Sequence, residues 1–138
     1  MKQPTRRQFI AAGTFAGMAA NASAEPPAAA SGKSTLPRLL HHVFFWLKNP
    51  DSAEDRAALI AGIKKLGEIE TVRAIHVGVP APTEKRDVVE SGYHVSELLC
   101  FDDVAGQNAY QIHPAHKKFV AECSHLWTKV VVYDVAGA

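Results

Sequence analysis

The sequence has little of several things that would announce a function. Its two cysteines cannot build a disulfide framework, and none of its histidines falls into the tight spacing of a metal motif. There is no glycine-rich phosphate loop, no serine or cysteine nucleophile in a recognisable setting, and no haem or flavin signature. No apolar run is long enough to hold the chain in a bilayer as a permanent anchor. An excess of charge of one sign is missing too: the formal net charge is +1, and no basic footprint for nucleic acid stands out. What remains is a 138-residue chain in which 47% of residues are hydrophobic, enough to close one core and no more.

The first two dozen residues do not belong to that core. Thr5, Arg6, Arg7, Gln8, Phe9, Ile10 is a twin-arginine pattern, followed by a mild apolar run from Ile10 to Ala20 and a small-residue cleavage site at Ala22, Ser23, Ala24. Residues 1–24 are expected to act as a twin-arginine signal peptide that directs the chain to the periplasm or beyond the cell. Cleavage removes Lys2, Arg6 and Arg7 and no acid, leaving 12 basic against 14 acidic residues. No membrane association is expected afterwards, because no cysteine lies near the cleavage site to carry a lipid. Glu25 to Pro37, rich in Pro, Ala, Ser and Gly, reads as a flexible leader, and the folded domain is expected over 38–136.

Leu39 to Lys48 is β-prone and apolar on both faces, with His41, Val43, Phe45 and Leu47 alternating with His42, Phe44 and Trp46. Asn49, Pro50, Asp51 make a turn, and Asp51 with Glu54 resembles a capping box for a helix to about Glu68 striped by Leu59, Ile60, Ile63 and Leu66. A second strand is predicted over Thr71 to Val79 and a third over Tyr93 to Phe101, with Val95, Glu97, Leu99 and Phe101 on one face. Glu97 is the odd member of that face. It either ends at solvent near a sheet edge, the reading preferred here, or is a paired buried carboxylate. Asp102 or Asp103 caps the next helix, and Thr128 to Val135 supplies a fourth strand. The order is βαββαβ, an α+β arrangement in which one antiparallel sheet carries its helices on a single face. The bare face is most simply covered by a second copy, hence a homodimer. Cys100 and Cys123 both read as core, so two buried thiols are expected rather than a disulfide.

Tyr110, Gln111, Ile112, His113, Pro114, Ala115, His116 concentrates proton-transfer groups at a forced helix break. Proline disfavours helix for the residue before it and suits the first position of a new one, so Pro114 should end one helix near Ile112 and start another. His113 then sits at the cap, suited to local backbone contacts. His116 lines up with Phe119, Val120, Cys123 and Leu126 on the apolar face.

Together with the leading strand carrying His42, Val43, Phe44 and Lys48, Gly92 and Tyr93 before the third strand, and Phe101, Asp102, this stretch resembles the stress-responsive dimeric α/β-barrel (Dabb) family over roughly Leu39 to Val135. The resemblance implies a ferredoxin-like subunit whose four-stranded sheet pairs with that of a second subunit to close a dimeric α/β barrel, and a pocket between sheet and helices. In a plant polyketide cyclase of this fold the second histidine of the motif is the general base, the upstream tyrosine holds the substrate carbonyl oxygen, and a first-strand histidine lines the pocket. By position these are His116, Tyr110 and His42. A further pocket histidine of that cyclase falls on Val95 here, with His94 one residue earlier and directed to the opposite face.

The expected catalytic set is therefore His116, Tyr110 and His42, with Phe44, Trp46, His113 and Phe119 contacting the substrate. A neutral imidazole beside a phenol suits proton abstraction next to a carbonyl, of the kind used by cyclases, isomerases or lyases, with no cofactor or metal required. The alternative is an exported protein that only binds small aromatic or lipophilic compounds. A metal site built from His41, His76 and His94, or from His113 and His116, is the weakest reading. His41 is expected to face the partner sheet.

Overall fold

The computed structural model describes residues 36–138. The signal peptide expected over 1–24 and the leader up to residue 35 lie outside the described residues. From Leu39 onward the chain runs β1 (Leu39–Leu47), α1 (Ala53–Leu66), β2 (Ala74–Gly78), β3 (Val95–Phe101), α2 (Val104–Ile112), α3 (Pro114–Cys123), a single 3-10 turn (Ser124–Leu126) and β4 (Trp127–Ala136). The four strands form one antiparallel sheet in the order β2-β3-β1-β4. This is the ferredoxin-like α+β fold, with the second helix of the βαββαβ plan split in two.

β1 occupies the middle because it is apolar on both faces and can be hydrogen-bonded along both edges. Its buried residues are Leu39, His41, Val43, Phe45 and Leu47, while Leu40, His42, Phe44 and Trp46 are only partly covered. The odd-numbered set faces the helices and joins Leu59, Ile63 and Leu66 of α1, Val95, Leu99 and Phe101 of β3, and Tyr110, Phe119 and Cys123 of the split helix in one core. Each fully buried Leu or Ile of the α1 stripe contributes about 1.5–3 kcal/mol relative to exposure, which holds α1 to the sheet.

Helix ends follow local chemistry. Ser52, not Asp51, is the N-cap of α1, its hydroxyl accepting from the amide of Asp55 at 3.1 Å. The expected box was thus displaced by one residue, because hydroxyl and carboxylate caps compete at adjacent positions. Asp103 caps α2 by accepting from Gly106 N at 2.8 Å.

Among the described residues, the other sheet face carries no helix. Across it run His42, Phe44 and Trp46 of β1, Leu98 and Cys100 of β3, His76 of β2, and Val131 and Tyr133 of β4. Phe44 packs against Tyr93 at 4.8 Å and Tyr133 at 6.0 Å between ring centroids. Cys100 is on this face and Cys123 is on α3 across the sheet, so both are free, buried thiols.

Candidate active site

The site grows out of the helix break. Pro114 lacks an amide hydrogen and ends α2 at Ile112. In an unbroken helix the Gln111 carbonyl would accept from the Ala115 amide; here that amide donates instead to His113 Nδ1 at 3.1 Å. The Gln111 carbonyl accepts from His116 Nδ1, also at 3.1 Å. A carbonyl can only accept, so Nδ1 of His116 carries the hydrogen and Nε2 is left with its lone pair. Partial burial holds the His116 imidazole below its ordinary pKa, the Gln111 carbonyl pulls the other way, and nearby His41 lowers it further. The ring is a neutral base.

Tyr110 is the next member. Its side chain is 1% exposed, its ring centroid is 4.6 Å from that of His116, and its hydroxyl lies 3.2 Å from Glu97 Oε1. Burial, and then the Glu97 carboxylate, push the phenol well above its ordinary pKa. Glu97 corrects the solvent-facing expectation. It too is 1% exposed, in the middle of β3 and flanked by β1 on one side and β2 on the other. Burial raises its carboxyl from 4.5 to about 7, against the opposing effect of the Tyr110 hydrogen bond.

His41 completes the cluster and replaces His42. The two are adjacent, so a single step in the alternation decides which one enters the site. The odd-numbered face packs on the helices, which places His41 at 5.8 Å from the Tyr110 ring. Register does the rest: His41 sits opposite Asp134 on β4, and its Nδ1 is 2.6 Å from Asp134 Oδ1. A ring held through Nδ1 by a carboxylate has its orientation fixed. His42 lies on the open face, stacked on Phe44 at 4.2 Å. There burial, with a smaller contribution from His76, lowers its pKa.

Together His41, Glu97, Tyr110 and His116 line a cleft of about 150 Å³ walled by Phe45, Phe119, Trp127 and the β4 valines Val130 and Val132. Those two valines are exposed, so the cleft opens on the side of the β4 edge. Among the described residues, no lysine or arginine lines it. A larger hollow of about 490 Å³ lies between α1 and α3, with His113 at its rim, but it holds none of the four polar groups. Chemistry rather than size makes the smaller cleft the candidate site.

The other expected contacts separate. Phe119 lines both cavities. His113 is spent as a cap, with Nε2 3.6 Å from Glu70 Oε2, outside the cleft. Phe44 and Trp46 occupy a hollow of about 220 Å³ on the open sheet face, with Lys129 Nζ 4.2 Å from the Trp46 ring. The sheet therefore divides the aromatic set that the sequence suggested as one pocket. His94 accepts the Leu47 amide at 2.9 Å, and His76 is on the open face, so neither joins His41. The residues missed by sequence reasoning were Asp134, Glu97 and His41, the last expected on the partner-facing side but found facing the helices; Glu97 had one signal, a carboxylate alternating with Val95, Leu99 and Phe101.

Comparison with known proteins agrees with this architecture. The family described as Stress responsive A/B Barrel Domain matches residues 39–136. A protein of Arabidopsis thaliana of known structure is 26% identical, with a TM-score of 0.62 over 72% of this chain and 95% of that one. A Dabb-family protein with a ferredoxin-like fold from Mesorhizobium loti is 24% identical, with a TM-score of 0.60 over 72% of this chain and 96% of its own. The hydroxynitrile lyase of Passiflora edulis is similar in fold, at 20% identity and a TM-score of 0.63 over 75% and 96% of the two chains. No curated protein matches the chain.

Proposed function

The chain belongs to the stress-responsive A/B barrel domain family, and on that premise we propose that it is an exported, homodimeric protein that abstracts a proton next to a carbonyl without a cofactor, as a cyclase, isomerase or lyase does. One observation carries the reading: the Gln111 carbonyl fixes the tautomer of His116, so a bare Nε2 shares a cleft with the Tyr110 hydroxyl. His116 Nε2 takes the α-proton. The C–H electron pair passes into the enolate, and the oxygen is held by a hydrogen bond from Tyr110. Return of the proton to another carbon completes an isomerisation; attack of the enolate carbon on a second carbonyl completes a cyclisation. His41, oriented by Asp134, lines the same cleft. The lining without lysine or arginine favours a neutral substrate, and the apolar walls favour a small aromatic or aliphatic one.

Two further parts of the reading rest on other features. The twin-arginine pattern supports export to the periplasm. The aromatic open sheet face supports a homodimer, and several proteins of this fold are described as dimeric.

Exchange of α-hydrogens for deuterium in D2O, followed by NMR across a panel of small aromatic ketones and aliphatic carbonyl compounds, tests the chemistry. Wild type should accelerate exchange of at least one member, and His116→Ala should lose about 10²–10⁴-fold of that rate. Saturable binding with no exchange in wild type would instead support a non-catalytic protein for small aromatic or lipophilic compounds, the reading that the Phe45, Phe119 and Trp127 walls favour.

A further inference from the structure

The cleft presents a conflict that the assignment of Tyr110 does not resolve. A phenol has one hydrogen to give. In the arrangement described above it is directed at Glu97, 3.2 Å away. Spent there, it cannot also hold the oxygen of a substrate. An ionised Glu97 would add a second difficulty, because the enolate forming at Tyr110 would face a buried negative charge one hydrogen bond further on.

We propose that Glu97 is a positioning residue that works as the neutral acid: it donates its own proton to Tyr110 Oη and so leaves the Tyr110 hydroxyl free to donate to a carbonyl oxygen in the cleft. This rests on the reading of Tyr110 as the oxygen-holding group. The relay is a chain of two hydrogen bonds, Glu97 to Tyr110 and Tyr110 to substrate, and no proton leaves the chain. Both bonds strengthen as negative charge develops on the substrate oxygen, which is the condition for a group to lower a barrier rather than merely tighten binding.

The surroundings favour the neutral acid. Glu97 is enclosed by β1, β2 and the helices, and the strand neighbours directly opposite it are Val43 and Val77. Among the described residues no lysine or arginine lines the cleft to neutralise it. The titratable groups that face the cleft are Tyr110 from α2, His116 from α3 and His41 from β1. His41 already has its own carboxylate, Asp134 on β4, at 2.6 Å. The buried α1 stripe of Leu59, Ile63 and Leu66 adds no charge. Consistently, burial brings the carboxyl up to about 7, so the acid form is well populated at and below neutral pH.

The test uses the mature protein and two isotope labels. Carbonyl-13C acetophenone, a neutral ketone of suitable size, reports a hydrogen bond to its oxygen as a downfield shift on binding. Side-chain 13C-labelled glutamate reports the protonation of Glu97, assigned by the signal that Glu97→Gln removes. At pH 6 the Glu97 carboxyl should be in the acid form, and the bound carbonyl should be shifted downfield in wild type but not in Tyr110→Phe. At pH 8.5 the wild-type shift should collapse. Glu97→Gln should keep it at both pH values, because an amide NH2 still donates to Tyr110 Oη. Glu97→Leu should lose it at both.

A wild-type shift that depends on Tyr110 but is the same at pH 6 and pH 8.5 would overturn the relay and leave Tyr110 as the oxygen-holding group. A carboxyl already ionised at pH 6 would overturn it too, whether or not the ketone binds. A protonated Glu97 with no Tyr110-dependent shift would remove Tyr110 from the chemistry, and the relay with it.

Discussion

Replacing Glu97 by Gln should make the protein more stable, and only above a definite pH. The substitution keeps the shape of the side chain and removes its ability to ionise. Folding raises the carboxyl from 4.5 to about 7, so the folded state holds its proton over a range where the unfolded chain releases it. The stability contributed by that proton is fully present below pH 4.5 and is lost progressively as the pH rises through 7. With about 1.4 kcal/mol for each pKa unit, the ionised buried carboxylate costs about 3 kcal/mol. That figure needs no correction for solvent screening, because the side chain is 1% exposed. Guanidinium unfolding followed by the fluorescence of Trp46 and Trp127 would measure the difference. Wild type and Glu97→Gln should be nearly equal at pH 4, and the variant should be ahead by about 3 kcal/mol at pH 8. In a domain of this size that corresponds to a rise in Tm of about 10–20 °C. A difference that stays constant between pH 4 and pH 8 would show that Glu97 has the same pKa in the folded and unfolded states, and the burial argument would fail.

Two further outcomes follow from packing. A Cβ on Gly62 of α1 would lie 2.8 Å from Cys123 Sγ and 3.2 Å from the Phe119 ring, so Gly62→Ala should destabilise by about 1 kcal/mol, the overpacking outweighing the gain in helix propensity. The double variant with Cys123→Ala should recover that loss in urea unfolding, and no recovery would place the strain elsewhere. Phe44→Glu puts a charge at the centre of the aromatic open face; light scattering at micromolar concentration should show a dimer for wild type and a monomer for the variant, and a wild-type monomer would refute the homodimer.

Much of the fold was legible because its signals are local. Pro114 marked the division between α2 and α3, the α1 stripe marked its buried face, and β-branched runs marked β2 and β4. The inward aspect of His116 followed from its spacing to Phe119 and Cys123. Where the sequence misled, the missing information was long-range. His41 and His42 are adjacent on a strand apolar on both sides, so nothing within β1 says which face meets the helices. The decision comes from β4, 93 residues away, where Asp134 stands opposite His41. Glu97 was misread for a similar reason. Its tolerance in the core depends on Tyr110 arriving from another element, and an isolated carboxylate in a strand reads as a surface residue until that partner is known. Phe44 and Trp46 looked like pocket residues because aromatics suit a ligand and an interface alike.

The exchange of partners at the helix break has a consequence for how members of this fold could diverge. The proton on the His116 ring is placed by a main-chain carbonyl that is vacant only because the helix stops. The lone pair left on the ring is thus set by the backbone, through the carbonyl of the residue that follows Tyr110, rather than by another side chain. A lineage that healed the break, by losing Pro114 or the cap at His113, would return the Gln111 carbonyl to the helix and set the imidazole free to choose either tautomer. Every residue lining the cleft would still be in place. On the proposed reading of His116 as the base, such a protein would keep the pocket and lose the fixed lone pair, so catalysts and carriers could arise from one another on this scaffold with the cavity unaltered.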